Sequence, residues 1–264
     1  MPTFPACAAV FAVNAHTVLS LQPPLVGHDR RVLTPRRLSA FLLSGVLSAT
    51  ALTSLALSPA SASASAAVAA PVEQAVASGM PTPISAAAAR TALRALRVAA
   101  PRSMAGYSRA KFPHWMSQAR KGAGCDTREV VLARDGRGVT RDDECRAVSG
   151  SWRSVYDNRT YTRAASIDID HMVPLANAWR SGANTWSTQR RRALANDLTR
   201  PQLIAVSATS NRSKGDQSPD QWQPPQRSYW CVYARAWVQV KKHYTLSVTS
   251  PEKKTLTAML DTCR

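Results

Sequence analysis

Ile167-Asp168-Ile169-Asp170-His171-Met172-Val173-Pro174-Leu175 is the stretch that decides the fold. Apolar Ile167 and Ile169 alternate with Asp168 and Asp170, the period-2 pattern of a strand with one buried face. Pro174 closes the run, because it donates no backbone N–H and restricts the residue before it. Downstream, residues 176–198 read as helical, broken at Ser181-Gly182. Residues 202–208, with Leu203, Ile204, Ala205 and Val206, form a short apolar run suited to a second, buried strand. Ser210-Asn211 is expected to cap a third element over 212–222, ended by Pro224-Pro225. Two strands flanking a helical insertion, followed by a short helix, make an α+β core.

The flanks add helices. Residues 85–98, 127–134 and 231–244 read as helical, and a last helix over 251–263 starts at Pro251. Gly136-Arg137-Gly138 reads as a turn, and 150–161 as strand and turn around Trp152, Tyr156 and Tyr161. The compact domain is expected over 106–264, beginning near Tyr107, with 67–105 an Ala/Ser/Pro-rich linker or pro-segment leading into a docking helix.

The first quarter has another character. Arg30, Arg31, Arg36 and Arg37 precede an apolar stretch over 38–57, and three overlapping Ala-x-Ala sites follow over 60–66. This is the order of a secretory signal peptide, although a stretch of that length is also about enough for a membrane anchor. Cleavage is the expectation, giving a secreted protein free of the membrane. About 30 residues precede the basic region, more than signal peptides carry. A start near Val32 would explain this and would set Cys7 aside.

The whole chain has a net charge of +18 over 264 residues. Residues 1–66 hold four arginines and one aspartate, so the remainder stays near +15, with 30 basic groups against 15 acidic. Such a balance suits a polyanionic partner, nucleic acid above all. Four cysteines remain: Cys125, Cys145, Cys231 and Cys263. In an exported chain they imply two disulfides, with three possible connectivities. Proximity in sequence favours Cys125–Cys145 and Cys231–Cys263. None forms a C-x-x-C pair, which argues against structural zinc.

Three separated segments together resemble the HNH endonucleases (ββα-metal, or His-Me finger, nucleases). They are Asp170-His171-Met172-Val173-Pro174-Leu175, Asn196-Asp197-Leu198, and Asn211-Arg212-Ser213-Lys214-Gly215-Asp216. Within that group the chain is similar to exported actinobacterial-type proteins related to the C-terminal nuclease domain of GmrSD-type restriction enzymes. The likeness runs more loosely from Tyr107 to Cys263, and residues 1–105 lie outside it.

The resemblance implies a ββα-metal core with flanking helices, acting as a monomer on nucleic acid, DNA before RNA. Asp170 and Asn211 would hold one divalent cation, Mg²⁺ or else Mn²⁺, through oxygen donors. His171 would be the general base. In an extended strand His171 points away from Asp170, so the bend at Pro174 is expected to swing it toward the phosphate. Asn196 would fix the loop carrying the base, and Asp168 would be a further metal carboxylate or orient His171. Lys214 and Arg212 would bind phosphate or stabilise the transition state. Arg128 is a phosphate clamp or only an ion-pair partner. The run Arg190-Arg191-Arg192 is a solvated face or a nucleic-acid clamp. His114 and His243 have no supporting neighbours in sequence and read as structural or exposed. The rivals are a non-catalytic, basic, exported nucleic-acid-binding protein, and an RNA-directed or toxin nuclease on the same fold.

Overall fold

The computed structural model describes residues 79–264, so the signal-peptide and start-site expectations lie outside the described residues. Ser85 opens helix α1 (Ala86–Ala95) by accepting a hydrogen bond from the Ala88 amide. Its small face, Ala89, Ala92 and Leu93, is buried, where it packs on α6 (Trp230–His243) and α7 (Ser250–Leu260). Met80 is also buried. The compact body therefore begins well before Tyr107, and the expected docking helix is part of the main core. Alanine spacing lets helices approach closely, which is why this face reads weakly in hydropathy yet buries completely.

Helix α2 (Thr127–Asp135) is capped by Asp126, whose side chain accepts from the Glu129 amide. An antiparallel three-stranded sheet follows, β1 (Arg137–Arg141), β2 (Ala147–Ser154) and β3 (Arg159–Tyr161), in the order β1-β2-β3. The expected turn at Gly136-Arg137-Gly138 is instead the entry to β1, which sequence alone did not reveal because its exposed residues show no alternation.

The second sheet holds the deciding stretch. β4 (Ile167–His171) pairs antiparallel with β5 (Leu203–Ser207), Asp170 opposite Ile204 and His171 opposite Leu203. The intervening segment carries α3 (Leu175–Arg180) and α4 (Thr188–Ala195). Ile167, Ile169, Leu203 and Ala205 pack with Val131, Leu132 and Trp152 in one core cluster. Ile204 and Val206 belong to a larger cluster under α1, α6 and α7. Each face of the β4–β5 pair is thus covered, and the two aspartates of β4 share the second face with Ile204 and Val206.

After β5 the chain turns at once into α5 (Ala208–Lys214). The cap is Ser207, whose side chain accepts from the Ser210 amide, so Ser210 and Asn211 lie inside the helix rather than before it. Gly215, with φ +53°, ends it, and the expected helix over 212–222 does not form. The left-handed turn at Gly215 and the hydrogen bonds of Ser218 to Asp220 and Gln221 use that segment as irregular structure. α7 opens with a reciprocal cap between Thr249 and Glu252, with Pro251 in its first turn.

Cys125 pairs with Cys145, and Cys231 with Cys263, the connectivity that proximity favours. The first bond fastens the start of α2 to the β1–β2 turn; the second fastens the start of α6 to the chain's end. No helix among the described residues is long and apolar enough to cross a membrane.

Candidate functional site

β4, α5 and the end of α4 converge on the residues singled out in the sequence. Asp170 is 4% exposed, and both its oxygens accept from the Lys214 ammonium at 2.8 Å. The Tyr156 hydroxyl donates to Asp170 Oδ2 at 2.5 Å. Lys214, fully buried at 0% exposure, also donates to the backbone oxygens of His171 and Met172. Four acceptors around one ammonium identify an ionised pair that satisfies its own desolvation. Burial pushes the Asp170 carboxyl up and the Lys214 ammonium down, and each partner opposes the other's shift. Lys214, expected on phosphate, is therefore a buried strut that bolts α5 to the end of β4. Asp170, expected on metal, is its counter-ion.

The strut continues inward. The Lys214 ammonium lies 5.8 Å from the Trp237 ring centroid, and that of Lys241 lies 5.6 Å from the same ring. Lys241 in turn pairs with Glu252 at 2.8 Å, and Trp237 Nε1 donates to Glu252. Each ammonium lies within reach of the Trp237 ring for a favourable contact with its π-face.

His171 points the other way. Its ring stacks on Trp115, centroids 5.6 Å apart and planes 28° from parallel. Nε2 lies 3.0 Å from the Ala195 carbonyl oxygen. A carbonyl only accepts, so Nε2 carries the proton and Nδ1 keeps its lone pair. Burial holds the imidazole pKa down to about 3; the bond to Ala195 opposes the shift and the nearby Arg109 and Lys214 charges add to it. His171 does not swing toward Asp168 and α5, because its pairing with Leu203 keeps it within the strand.

Ala195, the acceptor for His171, is the last residue of α4, and Asn196 follows as its C-cap. The Asn196 amide donates to the Pro113 and Arg192 carbonyls and accepts from Met116 N and Thr127 Oγ1. One side chain thus ties together the end of α4, the loop carrying Trp115 and the start of α2.

Asp168, on the α5 side of β4, accepts from Asn211 Nδ2 at 3.1 Å, with Arg212 Nε 3.8 Å away. The Arg212 side chain is 76% exposed. Asp168 and Asn211 thereby bring a carboxylate and an amide oxygen to an accessible edge. Among the described residues, no three His, Cys, Asp or Glu side chains form a metal cage. Two oxygen-bearing side chains fit a hard cation such as Mg²⁺, which keeps several waters.

Other expected residues fall elsewhere. Arg128 pairs with its neighbour Glu129, which also accepts from the Ala147 amide, so the ion-pair alternative describes it. Arg191 of the basic run is buried and donates to the Lys111, Ala183 and Trp186 carbonyls. Two residues near His171 escaped the sequence reading, Trp115 and Arg109, and a third, His114, was read only as structural or exposed. His114 accepts from Arg109 Nε at 3.4 Å and meets Trp115 edge-on. They lie over 50 residues before His171 in an irregular segment, and no local pattern connects them.

A secreted protein of Arthroderma benhamiae, described only as uncharacterized, is 53% identical over 187 residues, covering 70% of this chain and 90% of that one. No solved structure matches. The family described as GmrSD restriction endonucleases, C-terminal domain, matches residues 128–259, which span α2 through most of α7 and include both strands of the site. With that match and that relative, the chain belongs to the GmrSD restriction endonuclease C-terminal domain family.

Proposed function

We propose that the protein is an exported, metal-dependent endonuclease of the HNH type that hydrolyses phosphodiester bonds in DNA, with β4, β5 and α5 as its ββα-metal core. The observation that carries this reading is the hydrogen bond from His171 Nε2 to the Ala195 carbonyl. It fixes the tautomer, leaves Nδ1 as the basic atom of a ring that is buried and stacked on Trp115, and is itself held by the four bonds of Asn196. Two disulfides and the secreted relative support work outside the cell.

In this mechanism His171 Nδ1 takes a proton from the water whose oxygen attacks phosphorus, the bond from phosphorus to the leaving 3′-oxygen breaks, and that oxygen takes a proton from solvent. A base with a pKa near 3 is weak, and the cationic neighbour Arg109 helps keep it so. A phosphodiester beside it adds negative charge, which raises the imidazole pKa toward the working pH. Substrate thus switches on its own base. Arg212 reaches the phosphate from α5 as an exposed guanidinium. A divalent cation at Asp168 and Asn211 would neutralise charge on the phosphate, provided that substrate binding draws this edge and His171, which face opposite ways along β4, to the same phosphate. Asp170 and Lys214 take no part in proton transfer; they hold β4 and α5 at a fixed separation.

Plasmid cleavage by the disulfide-bonded protein with Mg²⁺, with EDTA, and with His171→Ala and Asn211→Ala tests the reading. Nicking that needs the metal and is lost in both variants supports it. Salt-sensitive DNA binding without cleavage of DNA or RNA under any divalent ion favours the non-catalytic reading.

A further inference from the structure

A cleft of about 480 Å³ opens beside the N-terminal end of α4, lined by Arg97, Arg102, Trp186, Arg190 and hydroxyl-bearing residues that include Thr185 and Thr245. No acidic residue lines it. Some arginines elsewhere pair with carboxylates, Arg134 with Asp135, Arg146 with Asp142, Arg180 with Asp216 and Arg200 with Asp197. Others, such as Arg153 and Arg191, bond neutral groups, but the cleft gathers three guanidinium groups with no carboxylate among them. Among the described residues Arg97, Arg102 and Arg190 have no carboxylate partner.

Each of the two arginines held in place is held by a neutral group. Arg190 lies over the Trp186 ring at 4.3 Å and gives one bond to the Tyr244 carbonyl. Arg102 gives one to Asn184 Oδ1. A guanidinium carries five N–H donors, so most of theirs remain for a ligand. Three like charges around one concavity repel unless an anion sits among them, and planar forks suit phosphate oxygens best. The free amides of the first turn of α4 add to the same potential.

We infer that this cleft is a second phosphate site, which grips the nucleic-acid backbone at a distance from the reacting bond. The inference rests on the nucleic-acid reading above. Helix α4 links the two places: Ser187 caps it at the cleft, and Ala195 holds His171 at its other end. Eight residues at 1.5 Å each separate them by about 12 Å. Measured along a duplex axis, that is roughly four phosphates of one strand at 3.4 Å each. The cleft therefore sets the minimum substrate length and the salt dependence of binding.

The test is binding of a short DNA duplex by the His171→Ala protein over about 50 to 200 mM salt, with and without R97Q, R102Q and R190Q combined. Calorimetric titration of both proteins with inorganic pyrophosphate runs alongside. The three substitutions are expected to lower the slope of log K against log salt by about 2.7 and to abolish pyrophosphate binding, with the melting temperature unchanged. Wild-type cleavage of DNA with an unaltered salt slope in the triple variant overturns the second site and leaves the nuclease reading standing. If the wild-type protein neither binds nor cleaves nucleic acid, the nuclease reading and the backbone grip fall together. Pyrophosphate binding lost on substitution would then reassign the cleft to free phosphate compounds. Pyrophosphate that binds both proteins alike, or neither, overturns the phosphate site itself.

Discussion

Lowering the pH should unfold this protein through His171, and the size of the effect follows from its burial. The folded-state pKa is about 3, against 6.5 for the free side chain, with desolvation the main cause. Because the folded value is depressed, the unfolded chain binds the proton more readily. The stability His171 contributes is complete above pH 6.5 and is lost as pH falls toward 3. Each pH unit inside that window removes about 1.4 kcal/mol, so a fall to pH 4 removes roughly 3 kcal/mol from this residue alone. Such a loss is a large share of the 5–15 kcal/mol typical of a domain. Urea denaturation of wild type and His171→Gln at pH 7, 5.5 and 4 measures it. Glutamine keeps an amide N–H for the Ala195 carbonyl but takes up no proton, so the variant should lose about 3 kcal/mol less between pH 7 and 4. Asp135 and Asp170 titrate in both proteins and cancel in the difference. Parallel pH slopes in the two proteins would refute a neutral, buried His171.

Lys214→Met leaves the Asp170 carboxylate buried without its ammonium and should cost about 3–5 kcal/mol, seen as a large fall in melting temperature. Asp168→Asn, on the exposed edge, should keep the melting temperature and abolish metal-dependent cleavage; the opposite pattern would place the metal on Asp170. Asn196→Ala removes four bonds around Ala195. It should slow cleavage by an order of magnitude or more with KM little changed, and broaden the His171 ring resonances in NMR. Serine at both Cys231 and Cys263 opens a link spanning 32 residues and should cost about 3–4 kcal/mol in equilibrium unfolding.

The β4–β5 pair was legible because its alternation and its apolar partner are local patterns, and both disulfides followed from proximity in sequence. α5 was misplaced by four residues at its start, since Ser207 caps as well as Ser210 would and the apolar run gives no reason to prefer either. The link between His171 and the loop carrying Arg109, His114 and Trp115 was invisible for a different reason. It spans more than 50 residues, and Trp115 adopts a φ of +56°, a conformation that no local rule assigns to tryptophan.

Lys214 shows where a motif stops being informative. Asn211-Arg212-Ser213-Lys214 presents two cations in one helical turn, and residue type alone treats them alike. Their spacing does not. On a helix, positions 211 and 214 sit three apart and share a face, whereas 212 is turned about 100° from 211. Asn211 faces Asp168 of β4, so Lys214 also lies against that strand, one turn nearer its end and within reach of Asp170. Arg212 then has only the outward side. Burial decides the chemistry from there: a sealed ammonium with four acceptors has no donor left for a substrate, while an exposed guanidinium has most of its own. The two aspartates of β4 divide in the same way. Asp170 meets the strut and Asp168 meets solvent, so one strand supplies both a buried brace and an open carboxylate edge.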